Sequence, residues 1–326
     1  MRGLIRTLRE RVLSAGASPD VGGKNLVAFS GGVDSSLVAA LVYKAYPRNS
    51  VACVGVSAAL PAAQLQLARD VASHIGIPLP EVSTGEGSDP GYIANEGQSC
   101  FHCKTHLYSS LEAIAERAGA ESRSDNGGAV AVGGRPGGAS DGIVRRRVVL
   151  FNGTNKDDKR DPTRVGLKAA ADFQVPSPID MLTKAEVRAV SRELGLPNWN
   201  HAASPCLRSR LAFGVQATPE RLRLIEQAEE AARNRLGLGV SHNLRVRAMH
   251  GNKALLEVDE GEMLEEASRA LPDIRRLILP LGFAEVDVRA FRSGAVSAIS
   301  VGRIAAAAAA GGVEVTHVVR NGQMPP

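Results

Sequence analysis

Residues 25–36 read NLVAFSGGVDSS, a short apolar stretch followed by a turn rich in glycine and serine. The apolar part predicts a buried strand, and Val33–Tyr46 predicts the helix that follows it. Between the two, Gly31 and Gly32 would let the backbone approach an anion closely, and the first amide groups of the helix would face that anion. The hydroxyl groups of Ser30, Ser35 and Ser36 add further donors. This stretch therefore predicts a phosphate site after the first strand.

Asp34 is unusual in such a turn, because its carboxylate would repel a phosphate unless it holds Mg²⁺ or orients the loop. The spacing matches neither the Walker pattern nor the glycine pattern of dinucleotide-binding folds. A plain tight turn, with Asp34 capping the helix, is the structural alternative.

The chain outside this stretch predicts an α/β fold. Further strands are expected at 51–57, 78–84 and 148–152, and helices at 61–75, 101–118 and 183–194. Strands that alternate with helices through short turns indicate a parallel sheet with right-handed crossovers. Residues 1–200 are therefore predicted to form one domain, interrupted at 119–147 by a flexible glycine-rich insertion.

The second half predicts a smaller α+β domain over residues 201–290. A helix at 219–235 precedes LRVRAM (244–249) and ALLEVD (254–259), which are expected to pair as antiparallel strands. A helix at 262–271 and a strand near 283–289 complete this unit. Residues 291–326 are rich in alanine and glycine and are predicted to be a loosely ordered tail.

Composition restricts the class of protein. The 326 residues are 44% hydrophobic and 22% charged, which is typical of a globular protein, and no apolar run is long enough to span a membrane. Four cysteines without an export signal predict reduced thiols in the cytoplasm.

The charge is concentrated in one region of the chain. The net charge is +5, and residues 201–250 contain eight arginines against four acidic residues, so a small anionic partner is expected there. An aromatic content of 4% argues against a stacking surface for single-stranded nucleic acid.

The cysteines are candidates for chemistry. Cys100 and Cys103 lie in SCFHCK, where they could form a redox dithiol, half of a zinc site with His102 or His106, or two ligands of an iron–sulfur cluster. Cys206 lies in SPCLRSR, beside arginines that would stabilise its thiolate, and is the best nucleophile candidate. The remaining Cys53 lies in an apolar strand and is expected in the core.

The SGGVDSS motif resembles the pyrophosphatase loop (PP-loop) of the ATP-pyrophosphatases, which cleave ATP between the α- and β-phosphates and adenylate a substrate. This resemblance implies a five-stranded parallel sheet with ATP over its C-terminal edge. It also implies that adenine lies near Val56 and Ser57, at the end of the second strand.

The order of motifs along the whole chain is similar to that of the LarE family of ATP-dependent sulfur transferases, which act in the synthesis of the nickel-pincer nucleotide cofactor. After SGGVDSS come C-x-x-C-K, GTNKDD (153–158), GLKAA (166–170), SPIDMLTKAEVR (177–188), PCLRSR (205–210), AEEA (228–231) and RVR (245–247). The resemblance implies that ATP adenylates a carboxylate of pyridinium-3,5-dicarboxylate mononucleotide and that sulfur then displaces AMP. It further implies a homo-oligomer that works beside other enzymes of that pathway.

The resemblance also implies site residues. The ATP-binding set, with Mg²⁺, is Ser30, Gly31, Gly32, Asp34, Ser35, Ser36, Ser57, Asn155 and Asp157. Lys104 would lie near the reacting phosphate, and Cys206 would be catalytic. The substrate set is Arg210, Glu229, Arg245 and Arg247. A turn is the alternative for Asn155 and Asp157, and a solvated helix face is the alternative for Glu229.

The source of the sulfur separates two versions of this reaction. In the simplest family members the cysteine that matches Cys206 gives up its own sulfur and becomes dehydroalanine. Members that also carry the C-x-x-C are similar to proteins that bind a [4Fe–4S] cluster through three cysteines, with a sulfide on the open iron. The resemblance implies that the three ligands here are Cys100, Cys103 and Cys206. We expect the cluster version. A PP-loop tRNA thiolase and a nucleotide sensor with structural zinc remain alternatives.

Overall fold

A parallel sheet organises the first half of the chain. The computed structural model describes residues 1–124, 148–161, 164–202, 205–239 and 242–291. The strands are β1 (Lys24–Phe29), β2 (Ser50–Val56), β3 (Glu81–Ser83) and β4 (Val148–Phe151), in the spatial order β3-β2-β1-β4. All neighbouring pairs are parallel. The predicted α/β class and parallel sheet are confirmed.

Helices cover both faces of this sheet. The helices of this half of the chain are α1 (Arg2–Ala15), α2 (Val33–Ala45), α3 (Ala62–Ile75), α4 (Pro90–Ala94), α5 (Ser99–Ser124), α6 (Lys156–Arg160), α7 (Gly166–Asp172) and α8 (Lys184–Glu193). Val27 and Phe29 of β1 pack with α1, α2, α3 and α8, whereas Leu26 and Ala28 pack with α5 and α7. A strand buried on both faces has no polar side to expose, which is why NLVAF is almost continuously apolar.

The edges of the sheet differ from the sequence prediction. Residues 78–84 were expected to be a strand, but β3 begins only at Glu81, because Pro78 and Pro80 have no amide hydrogen to donate. Their carbonyl groups still accept bonds from Ala52 N (2.9 Å) and Val54 N (3.2 Å) of β2.

The expected fifth strand is not formed within the described ranges. The chain after α7 approaches the end of β4, where the Asn152 amide donates to the Pro176 carbonyl at 3.1 Å. Pro176 and Pro178 lack the amide hydrogens that would continue such pairing. The parallel sheet is therefore four-stranded in the part of the chain that the structure describes.

A second, smaller sheet belongs to the C-terminal unit. It has the order β5 (Leu244–Met249), β6 (Lys253–Val258) and β7 (Glu285–Ala290), with α9 (Pro219–Arg235), α10 (Glu262–Arg269) and α11 (Leu271–Ile278) as its helices. The predicted antiparallel pairing of β5 and β6 is confirmed, and β7 adds in parallel to β6. The single helix expected at 262–271 ends at Arg269, and α11 begins anew at Leu271 with a proline in its first turn.

The two units share packing. The core of the second unit includes Ala59, which follows β2, and Tyr92 of α4.

The predictions for the insertion and the tail fall mainly outside the described residues. α5 continues to Ser124, which lies within the segment that was predicted to be an irregular insertion. Residues 125–147 and 292–326 lie outside the described residues. The domain boundaries at 200 and 290 stay predictions. None of the helices in the described ranges has the length and apolar character needed to cross a membrane.

Candidate active site

The loop after β1 is folded for close approach. Gly31 has φ +71°, and a Cβ atom there would lie 2.8 Å from Ala68 Cα, so only glycine fits. Gly32 is the N-cap of α2. The Ser35 hydroxyl accepts from Ser30 N at 3.2 Å and donates to the Gly32 carbonyl at 3.0 Å. The loop therefore holds its shape through its own side chains.

Side chains from elsewhere fix the loop carbonyl groups. Gln64 Nε2 donates to the Ser30 carbonyl at 2.6 Å, and Asn198 Nδ2 donates to the Gly31 carbonyl at 2.7 Å. Asn198 Nδ2 also donates to Ser36 Oγ at 2.9 Å. With the carbonyl groups held in this way, the first amide groups of α2, which have no partner inside the helix, remain available to an anion.

Asp34 faces two donors from distant parts of the chain. Asn155 Nδ2 donates to Asp34 Oδ1 at 3.1 Å, and Lys184 Nζ pairs with Asp34 Oδ2. The close packing of Gly153 against the Ser35 amide brings the loop after β4 to this position, since a Cβ at Gly153 would lie 2.8 Å from Ser35 N. Lys184 was not identified from the sequence, although Thr183 and Glu186 form a capping box that marks the start of its helix.

Asn155 and Asp157 have structural roles as well as a place near this loop. Asn155 is the N-cap of α6, and its Oδ1 accepts from Asp157 N and Asp158 N at 2.9 Å each. Asp157 Oδ2 accepts from Lys184 N at 2.8 Å. Asn155 and Asp157 therefore form a turn, and the same turn lies beside the loop after β1, so the two predictions for these residues are compatible. Their contact with ATP stays a prediction, as does that of Ser57, whose Oγ accepts from Ala59 N at 3.2 Å.

Three of the four cysteines lie near one another. Cys100 is exposed, Cys103 and Cys206 are half-buried, and Arg208 Nη2 donates to Cys100 Sγ at 3.4 Å. Burial and then the neighbouring Cys206 raise the pKa of Cys103 to about 12. Burial and then Cys100 also raise the pKa of Cys206. The neighbouring thiols thus oppose the ionisation of Cys103 and Cys206, and a bound cation would relieve this effect.

Cys53 lies apart from these three thiols. It is fully buried in β2, as expected, and packs with Leu26, Leu107 and Leu150. Burial raises the pKa of its thiol to about 12.

The [4Fe–4S] cluster on these three thiols stays a prediction. No three His, Cys, Asp or Glu side chains in the described part of the chain are placed to share one metal ion. His102 Nδ1 and His106 Nε2 both bond Asp89 Oδ2, at 2.9 and 3.1 Å, which occupies the histidines considered for zinc. A [4Fe–4S] cluster takes one thiolate on each iron, so its ligands need not converge on one ion. The donor set of three thiols fits such a cluster.

Lys104 supplies positive charge beside the thiols. Burial acts to lower its pKa, but Tyr108 and then Cys103, Cys100 and Cys206 together raise it, so the ammonium form persists. Its Nζ lies 5.8 Å from the centre of the Tyr108 ring.

Two of the predicted substrate arginines hold the Cys206 loop. Arg210 forms two bonds with Glu229, at 2.8 and 3.2 Å, and donates to the Cys206 carbonyl at 3.2 Å. Arg247 donates to Glu257 Oε2 at 2.6 Å and to the Ser209 carbonyl at 2.9 Å. Glu229 therefore does not lie on a solvated helix face. Substrate binding by Arg210, Glu229 and Arg247 stays a prediction, and the structure adds a positioning role.

Arg245 lies in a region with surplus positive charge. Burial, followed by the like charges of Arg210 and Arg247, lowers its pKa to about 10. Its guanidinium carbon lies 4.4 Å from the centre of the Phe291 ring. A bound phosphate or carboxylate would relieve the repulsion among these arginines.

A direct bond connects the two parts of the site. The Leu207 amide, next to Cys206, donates to the Ala59 carbonyl at 2.8 Å, and Ala59 follows the end of β2. This bond therefore places the Cys206 loop against the chain that follows β2, at the edge of the sheet where the loop after β1 also lies.

Comparison with known proteins supports one family. The chain is 30% identical over 276 residues to pyridinium-3,5-bisthiocarboxylic acid mononucleotide synthase of Lactiplantibacillus plantarum, covering 82% of this chain and 87% of that protein. It is 32% identical over 279 residues to an uncharacterized protein of Synechocystis sp., covering 84% and 92%. A GMP synthase of Corynebacterium ammoniagenes is 40% identical over 73 residues, which is 22% of this chain and 14% of that enzyme. No family model matches the sequence.

Proposed function

Since the chain belongs to the LarE family of sulfur transferases in nickel-pincer cofactor synthesis, we propose that it adenylates a carboxylate of pyridinium-3,5-dicarboxylate mononucleotide with ATP and replaces one carboxylate oxygen with sulfur. The observation that carries this proposal is the bond between Leu207 and Ala59, because it joins the cysteine loop to the sheet edge that bears the phosphate loop.

The phosphate loop supports the adenylation step. The first amide groups of α2 and the Ser30 hydroxyl group would hold the β- and γ-phosphates. Ser36, which was also predicted to bind ATP, is fully buried and accepts from Asn198, so its role would be to hold the loop. Lys184 would neutralise the departing pyrophosphate, and Asp34 keeps that ammonium group in place. The Asp34 carboxylate would also be a ligand of Mg²⁺. The substrate carboxylate attacks the α-phosphorus, pyrophosphate leaves with the bonding electrons, and an acyl adenylate forms.

The nearness of the three thiols supports the second step. A sulfur anion attacks the acyl carbon, the C–O bond to AMP breaks, and AMP leaves with the electron pair. Lys104 lies beside the thiols and would offset the negative charge of the phosphate. A [4Fe–4S] cluster on Cys100, Cys103 and Cys206 would supply an open iron that can carry sulfide.

Arg245 is the side chain best suited to the phosphate of the nucleotide substrate. It lies within the surplus of positive charge described above. Guanidinium groups suit phosphate because they offer two parallel donors. A homo-oligomer that passes its product to other enzymes of the cofactor pathway in the cytoplasm belongs to the same proposal.

Anaerobic incubation with ATP and the dicarboxylate nucleotide tests the function. We expect AMP, pyrophosphate and a thiocarboxylate product to appear together, and none of them without the nucleotide. Asp70→Ala, which changes an exposed carboxylate on α3, is the matched control for variants of the loop. Sulfur transfer to tRNA, with the nucleotide left unchanged, would favour the tRNA thiolase instead. ATP binding without pyrophosphate release would favour the sensor.

A further inference from the structure

Arg208 contacts a thiol that belongs to a different element of the fold. Its Nη2 lies 3.4 Å from Sγ of Cys100, which is in the first turn of α5. Arg208 itself follows Cys206 by two residues, in the short helical turn Leu207–Arg210. This hydrogen bond therefore joins the C-x-x-C segment directly to the Cys206 loop.

The backbone of the Cys206 loop is held by other residues. Leu207 is fully buried, and its amide donates to the Ala59 carbonyl at 2.8 Å. Arg210 and Arg247 donate to carbonyl groups of the loop at 3.2 and 2.9 Å. Because these bonds fix the loop without the Arg208 side chain, the contact of Arg208 with a sulfur atom needs a different explanation.

The Arg208 guanidinium makes no ion pair with a carboxylate among the described residues. Arg210 and Arg247 differ in this respect, because each of them pairs with a glutamate. Arg208 is half-buried, and a charged group in such a position usually has a partner of opposite charge. A thiolate at Cys100 would be that partner.

We propose that Arg208 is a positioning residue for the [4Fe–4S] cluster, which donates a hydrogen bond to the ligand sulfur of Cys100 and offsets part of the negative charge of the thiolates. This inference rests on the proposed function, of which the cluster is a part. Hydrogen bonds to the sulfur ligands and nearby charge set the reduction potential of such a cluster. The reduced form carries one more electron than the oxidised form, so a cationic donor stabilises it more and raises the potential.

A contact that only orders the surface of the protein is the competing explanation. The Cys100 side chain is exposed, so the guanidinium would then lie against it without any influence on a bound group. Loss of such a contact would change the free energy of unfolding slightly and would leave the reduction potential where it is.

Three substitutions of Arg208 separate charge from hydrogen bonding. Arg208→Lys keeps the charge, Arg208→Gln keeps an uncharged donor, and Arg208→Met keeps neither. The cluster-loaded proteins are titrated anaerobically with dithionite while the absorbance of the cluster is followed. At the midpoint potential of the wild-type protein, we expect the ratio of reduced to oxidised cluster to be about tenfold lower in Arg208→Met, which is about 59 mV for a one-electron couple. The decrease should be smaller in Arg208→Gln and smallest in Arg208→Lys.

Arg223→Met, which changes an exposed arginine of α9, is the matched control and should keep the wild-type midpoint. Equal midpoints in the wild-type protein and Arg208→Met would overturn the proposal, and so would failure of the wild-type protein to form a cluster. If Arg208→Met retains no cluster, equal midpoints in Arg208→Gln and Arg208→Lys would overturn it.

The assay for pyrophosphate and thiocarboxylate decides the proposed function separately. If iron-free wild-type protein forms both products, the adenylation and sulfur transfer stand and the role of Arg208 does not. If the cluster-loaded protein forms neither product, the proposed function is refuted, and the midpoint potentials still decide the role of Arg208.

Discussion

Asn155 Nδ2 donates to Asp34 Oδ1 at 3.1 Å, which joins the loop after β4 to the phosphate loop after β1. Asn155 is also the N-cap of α6, so the bond connects the start of one helix to the first turn of another. Lys184, from a third helix, pairs with the other oxygen of the same carboxylate. Asp34 is therefore the point at which three separate segments meet.

Replacing Asp34 should impair adenylation without unfolding the protein. Asp34→Ala frees Lys184 and removes the predicted Mg²⁺ ligand, so we expect pyrophosphate release to fall on the order of 100-fold. Gly32, not Asp34, caps α2, and the ion pair is partly exposed, so the stability loss should be about 1 kcal/mol. Near-normal pyrophosphate release, measured beside Asp70→Ala, would contradict the role of the loop.

The local sequence was sufficient to predict the strand, loop and helix that carry this site, but not the side-chain ion pairs within it. NLVAF and SGGVDSS predicted β1, the loop and α2, because strand and turn preferences act over neighbouring residues. The Arg210–Glu229 pair depends on how α9 packs against the Cys206 loop, and the Arg247–Glu257 pair depends on the register between β5 and β6. The fifth strand was expected from the resemblance, while the prolines that limit pairing beside β4 were not weighed. The capping box at Thr183 could have located the helix start at Lys184, but not its contact with Asp34.

Arg245 and Arg247 should behave differently although they lie on one strand. Arg247→Ala leaves the fully buried Glu257 with Arg289 as its remaining ion-pair partner, so we expect the free energy of unfolding to fall by about 3 kcal/mol. Arg245→Ala removes repulsion from Arg210 and Arg247 but also the contact with the Phe291 ring, so we expect the free energy of unfolding to change by less than about 1 kcal/mol. Urea denaturation measures both.

Arg245→Ala and Arg247→Ala should each weaken binding of the nucleotide substrate by about 1.5–3 kcal/mol, which is the scale of charge-assisted hydrogen bonds. ATP binding should be nearly unchanged in both variants. Titration calorimetry with each ligand measures this. Normal binding of the nucleotide by both variants, together with loss of affinity for tRNA, would favour the tRNA thiolase.

The core thiol of Cys53 should make the protein less stable as the pH rises above 9. Burial raises its pKa from 9.0 to about 12, so the unfolded chain loses this proton first as the pH rises. The unfolded state then binds fewer protons, and the free energy of unfolding should fall by about 1.4 kcal/mol per pH unit between these values. Cys53→Ala should show a shallower decline in chemical denaturation across that range. An identical slope in both proteins would contradict the assignment.

Cys100, Cys103 and Cys206 should together bind one [4Fe–4S] cluster. Replacing any one of them with alanine should abolish the brown chromophore and sulfur transfer, and Cys53→Ala should retain both. Iron and sulfide analysis after anaerobic purification measures the cluster. Iron-free protein that still forms product, and whose mass falls by that of H₂S with dehydroalanine at 206, would show that Cys206 is sacrificed instead.

The fate of the carboxylate oxygen tests the central claim most directly. The substrate is prepared with a heavy oxygen isotope in both carboxylates, and the AMP formed with each thiocarboxylate is analysed by mass spectrometry. Adenylation followed by displacement predicts one heavy oxygen in the phosphate of every AMP released, because the C–O bond breaks on the acyl side. AMP that carries no heavy oxygen while thiocarboxylate accumulates would contradict the proposed reaction.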